Sequence, residues 1–241
     1  MLKNILKIVV IFVFGMAGGI FASQILWPYY IERPFFSKYQ LTNIPSYVIE
    51  KQEVIIQENT ALEEAVKKVE KAVVGIRTKT TGGKIITGSG IVVTTDGLVV
   101  TLSELIPKAG DFTFFIDGKT VAEYQILKKD QKANLVLLKV KAEKNGLQTS
   151  GFADFEEIKL GERVFLVGVI FPESEPIKMV NEGIVKYLTE DYIRTNIFEN
   201  NTLTGSPLFN IKGELLGLNT IDSQGRVIAI PITQIRQFVG F

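Results

Sequence analysis

The sequence predicts an all-β domain behind a single N-terminal transmembrane helix, and three observations carry that reading. Short runs rich in Val, Ile, Thr and Phe, punctuated by Gly, Asp and Asn, fill the chain after about residue 72. Near the N-terminus, Ile8 to Ile31 carries no charged side chain. Hydrophobic residues make up 46% of the 241 and charged residues 22%, so the chain can build a sizeable core and is not globally disordered.

The charge-free stretch, about 24 residues, is long enough to cross roughly 30 Å of hydrocarbon. Trp27, Tyr29 and Tyr30 stand at its far end, where amphipathic rings favour the membrane interface. Lys3 and Lys7 on the short leading side predict a cytoplasmic N-terminus, a single-pass anchor over residues 1–31 and an extracytoplasmic domain. A cleaved signal peptide is the rival reading. Ala17-Gly18-Gly19 offers it a weak cleavage site, but the apolar run continues well past that point. Gly15, Gly19 and Ser23 recur every four residues, which either smooths one helix face for close packing or reflects the general abundance of small residues in membrane helices.

Residues 32–58, with Pro34, Pro45 and no sustained period, read as a tether, with an extended piece at Val54–Gln57. Thr60 and Glu63 have capping-box spacing, which predicts a helix opening at Thr60, carrying Leu62, Val66 and Val69 as its apolar stripe and ending near Lys71. Nine strands are then predicted: Val73–Thr78, Gly90–Thr94, Leu98–Leu102, Phe112–Ile116, Leu135–Val140, Arg163–Val169, Gly183–Tyr187, Leu215–Thr220 and Val227–Ile230. Asp96-Gly97, Asp117-Gly118 and Lys212-Gly213 supply tight-turn chemistry between strands. Many short strands with regular turns mean a sandwich or a barrel, closed by a short helix around Ile232–Val239.

Composition also limits the chemistry. The 27 basic and 26 acidic residues leave a net charge of +1, with no basic patch or phosphate-cradling loop, so a nucleic-acid partner is not expected. With no cysteine there are no disulfides, thiolate nucleophiles or cysteine-based zinc sites. With no histidine, the commonest general base and the commonest zinc ligand are both missing. No cofactor or metal is expected.

Four blocks then narrow the field. Thr87-Gly88-Ser89-Gly90-Ile91-Val92-Val93 leads to Asp96-Gly97 and Val100-Thr101. Asn134-Leu135-Val136-Leu137-Leu138-Lys139-Val140 follows, then Leu160-Gly161-Glu162 with Val167-Gly168 and Glu182-Gly183-Ile184-Val185. The last block runs from Thr202 to Leu208, through Asn210 and Gly213 to Thr220, with Ala229-Ile230-Pro231 closing it. In that order they resemble the protease domain of the bacterial HtrA/Deg family, a branch of the trypsin-like fold, over about residues 60–241. The resemblance implies two six-stranded antiparallel barrels, one over about 72–142 and one over about 155–241, with a cleft between them.

A trypsin-like enzyme needs a serine, a histidine that takes its proton, and an aspartate that orients the histidine. The resemblance puts Glu104 at the histidine position, Asn134 at the aspartate position and Thr204, before Gly205-Ser206-Pro207, at the serine position. A carboxylate is a feeble base toward a hydroxyl unless burial strengthens it. The threonine methyl crowds the attack path, and an internal threonine lacks the N-terminal amine that activates threonine nucleophiles elsewhere. Lys186 or Lys212 would have to stand beside Thr204 to act as base. Thr202 takes the place of an oxyanion-loop glycine, where a β-branched residue resists an unusual φ. Ser206 replaces the second glycine after the nucleophile, two positions round the turn.

Three readings follow. The first is a membrane-tethered pseudoprotease with no functioning triad. It would bind peptides, unfolded segments or an active protease relative by strand addition, as a homo- or heterotrimer, in protein quality control. The second is an endopeptidase with an unconventional site, and the third a structural envelope protein. No PDZ-type domain of the kind many relatives carry is expected after the closing helix, which shifts expected recognition onto the cleft or the tether.

Overall fold

The computed structural model describes residues 2–26, 58–141 and 146–241. The expected interfacial aromatics Trp27, Tyr29 and Tyr30 and the extended piece at Val54–Gln57 lie outside those residues, as does the tether up to residue 57. The chain divides into two compact units, one holding the N-terminal helix and the other everything from the second helix onward.

Helix α1 spans Leu2–Phe21 and continues as a π-helical turn over Ala22–Leu26. Lys3–Gln24 has a mean hydropathy of 2.4 and none of it is buried, so this helix is long and apolar enough to cross a membrane.

Helix α2 covers Glu58–Val69 and runs into a 3-10 turn at Glu70–Ala72. It begins two residues before Thr60, so the capping-box assignment is corrected: Thr60 sits inside the first turn. The apolar stripe is as expected, with Val69 fully buried and Leu62 and Val66 packed on the core.

Two curled antiparallel sheets follow. The first contains β1 (Val73–Thr80), β2 (Ile85–Val92), β3 (Leu98–Leu102), β4 (Gly110–Ile116), β5 (Lys119–Thr120), β6 (Tyr124–Asp130) and β7 (Leu135–Val140). Its order is β5-β4-β1-β2-β3-β7-β6. β5 has only two residues and β6 is bulged between Ile126 and Lys128, so no ladder joins these two edges and the sheet remains a curled half-barrel. The second contains β8 (Gly151–Phe152), β9 (Arg163–Ile170), β10 (Ile177–Leu188), β11 (Ile193–Phe198), β12 (Pro207–Asn210), β13 (Glu214–Ile221) and β14 (Arg226–Pro231). Pairing of β12 with both β9 and β13 closes six of these strands into a barrel, and β8 adds in parallel to β13. Helix α3, Ile232–Val239, follows β14 directly and ends at left-handed Gly240.

Strand β9 shows how one sequence serves two cores. Val164 and Leu166 enter the interior of the closed barrel, while Phe165, Val167 and Val169 join the cluster that also contains Ile76, Val100 and Leu138 of the first sheet. Because side chains alternate sides along a strand, a run buried on both faces reads as continuously apolar, as Arg163–Ile170 does after its first residue. Phe165 stacks on Phe209 at 5.4 Å within the shared cluster. Ser89, fully buried on β2, ties the two halves: its hydroxyl oxygen accepts from the Val169 N–H at 2.8 Å.

Candidate functional site

The Gly88-Ser89-Gly90 run lies in β2, where a side chain at Gly88 would meet the Thr204 carbonyl at 2.5 Å. That absence lets the loop carrying Thr204 lie against the first sheet. The Ser89 N–H donates to the Thr204 carbonyl at 2.8 Å, and the Gly205 N–H donates to the Asn219 carbonyl at 2.8 Å. Gly205 has φ +79°, and a Cβ there would collide with the Ser89 carbonyl oxygen. Backbone bonds to β2 and β13 thus fix the Thr204-Gly205-Ser206 turn, whose three residues are all buried.

The other wall is the 3-10 turn Ser103–Leu105 at the end of β3. Buried Thr78 donates its hydroxyl to the Leu105 carbonyl at 2.7 Å, and the Lys129 ammonium donates to the Ile106 carbonyl. Burial, with the Lys108 charge nearby, pushes the Lys129 ammonium below the usual lysine range. Asn134 sits before β7 with φ +54°, a conformation asparagine tolerates better than most residues. Its Oδ1 accepts from the Ser103 hydroxyl at 2.8 Å and the Glu104 N–H at 3.3 Å, so its Nδ2 is the group that donates to Glu104 Oε1, at 3.2 Å.

A cleft of about 410 Å³ brings Glu104, Thr202 and Thr204 together with Asn201, Lys84, Thr87 and the apolar Ile85, Ile86, Leu105 and Ile221. Asn134 supports Glu104 without lining the cleft. Among the described residues Glu104 and Thr204 share no hydrogen bond. The Thr204 N–H donates to the Asn201 carbonyl at 3.2 Å, inside the loop. Thr202 lies in the 3-10 turn Asn201–Leu203 and is not among the positive-φ residues, in keeping with its branched Cβ.

Ser206 is fully buried and its hydroxyl accepts from Asn219 Nδ2 at 3.1 Å, away from the cleft lining. Neither Lys186 nor Lys212 lines the cleft; the lysine that does is Lys84. Sequence reasoning passed over it because it follows the polar Gly82-Gly83 turn and no motif includes it. Ser89 lay inside a motif, yet nothing in the sequence assigned it a partner 80 residues away.

Residues 88–218, more than half of the chain, match the family model of the trypsin-like peptidase domain. This chain belongs to the trypsin-like peptidase family. It is 34% identical over 137 residues to Serine protease HTRA1 of Xenopus laevis, covering 52% of this chain and 29% of that protein. It is 31% identical over 126 residues to the Probable periplasmic serine endoprotease DegP-like of Ectopseudomonas mendocina, covering 49% and 26%. The DegP-like protein of Brucella suis is 28% identical over 142 residues, covering 53% and 27%. The matched region therefore spans under a third of each relative's length. The span of the family model, residues 88–218, contains Glu104, Asn134 and Thr204.

Proposed function

We propose that this trypsin-like domain is a membrane-tethered pseudoprotease that holds extended peptide segments in its cleft without cleaving them. The observation that carries the reading is the hydrogen-bond state of the site. Thr204, at the family's nucleophile position, has no histidine to activate it, and Glu104, at the base position, is bonded to Asn134 and shares no bond with Thr204. Glu104 is also exposed to solvent. The Thr204 N–H, which would help to hold an oxyanion, is spent on the Asn201 carbonyl. The cleft has apolar walls with polar groups between them, which suits an extended peptide segment. The apolar α1 and the periplasmic DegP-like relatives favour a domain held outside the cytoplasm, N-terminus inside. Partners of this kind are exported peptides, unfolded segments or an active relative; the chain would act as a homotrimer or, with that relative, as a heterotrimer.

Lys84 favours a second reading, a slow hydrolase in which the amine deprotonates Thr204 across the shared cleft. Both readings meet in one assay. Full-length protein in detergent is incubated with unfolded casein and, separately, with a fluorophosphonate probe. No turnover above background and no labelling are expected. Turnover abolished by Thr204→Ala and by Lys84→Met would establish the hydrolase instead.

A further inference from the structure

We propose that Glu104 is the cation receptor of the cleft, so that the segment held there presents a lysine, an arginine or a free amino terminus to it. This rests on the peptide-binding reading above and specifies its ligand.

Glu104 lines the cavity, and among the described residues it makes no ion pair, so none of them neutralises its charge. Its side-chain partner is the neutral Asn134 amide. That bond does two things. It restrains a side chain on an exposed turn that would otherwise sample several rotamers, and it occupies one oxygen, leaving the other able to accept from a ligand. The direction of the amide is fixed independently, because Oδ1 is already taken by the Ser103 hydroxyl and the Glu104 N–H. An aspartate at residue 134 would instead set a second negative charge against Glu104.

The rest of the lining suits a long cationic side chain. Ile85, Ile86, Leu105 and Ile221 offer apolar surface for an alkyl stem, while the carboxylate receives its charged head. Lys84 is the other charged residue of the lining and disfavours a second cation. The fitting segment is therefore extended and mostly apolar, with one positive group.

The test uses full-length protein in detergent and three fluorescent peptide pools with degenerate flanks and one fixed central residue, lysine, methionine or glutamate. Binding is read by anisotropy. The lysine pool is expected to bind about fivefold more tightly than the methionine pool, the size of a partly solvated charge pair. In Glu104→Gln, which keeps an acceptor for Asn134 but loses the charge, the lysine pool falls to the level of the methionine pool. Equal binding of the three pools, or a preference for glutamate, overturns the cation receptor while leaving the peptide cleft standing. Failure of every pool to bind overturns both.

Discussion

The two walls of the cleft are held in place by different means. On the wall from the closed barrel, the Thr204-Gly205-Ser206 turn is buried and pinned by main-chain bonds, from Ser89 N–H to the Thr204 carbonyl and from Gly205 N–H to the Asn219 carbonyl. On the wall from the half-barrel, Glu104 is exposed and is held largely by the Asn134 side chain. Main-chain bonds persist when a side chain is exchanged, so substitution of the Thr204 side chain leaves the turn's anchors in place. A side-chain network depends on both of its members, as the bond between Glu104 and Asn134 does.

The sharpest test of that contrast is Gly205→Ala. The left-handed φ and the collision with the Ser89 carbonyl together should cost about 3 kcal/mol or more, read as a fall in the urea midpoint. Asn134→Ala should cost less, about 1–2 kcal/mol, because it combines a tolerable φ penalty with the loss of partly exposed hydrogen bonds. Equal costs for the two variants would break the comparison, since the half-barrel wall would then be as rigidly built as the other.

The same contrast explains what the sequence could reveal. Leu98–Leu102 and Leu135–Val140 were legible to the residue, since buried strands advertise themselves by continuous apolar runs. Tyr124–Asp130 was not, because this exposed edge strand carries Lys128, Lys129 and Asp130. β10 begins at Ile177, six residues before the predicted Gly183, since its polar Lys178 and Asn181 still pair with β9. The strand predicted at Gly90–Thr94 instead spans Ile85–Val92, because the glycines continue the ladder against β1. Ile193–Phe198 and Pro207–Asn210 escaped notice, the first alternating with polar residues and the second only four residues long. At the site, the family resemblance pointed to Glu104, Asn134 and Thr204, of which Glu104 and Thr204 line one cleft. The resemblance could not reveal the bond between Glu104 and Asn134, which forms across 30 residues of chain.

The smallest expected effect concerns acid. Asp130 caps the turn that delivers Asn134, its Oδ1 accepting from the Lys132 N–H at 2.8 Å and the Ala133 N–H at 3.1 Å. The Ala133 N–H first, then that of Lys132, hold its carboxyl below the usual aspartate range. A carboxyl whose pKa is lower folded than unfolded stabilises the fold above its unfolded value and loses that contribution as pH falls through the folded one. The half-barrel wall should therefore loosen below about pH 4. Asp130→Asn keeps an acceptor for the turn but cannot titrate, so its urea midpoint should fall less between pH 6 and pH 3 than that of the wild type. Asp222 provides the matching control on the barrel wall. The Arg226 N–H and then its guanidinium also hold Asp222 low, in the turn between β13 and β14. If the contrast between walls is correct, Asp130→Asn and not Asp222→Asn will blunt the acid-induced loss of hydrogen-exchange protection around Ser103–Leu105, because only Asp130 caps the turn that delivers Asn134. An identical effect from both variants would mean that acid acts on the fold as a whole and not on one wall.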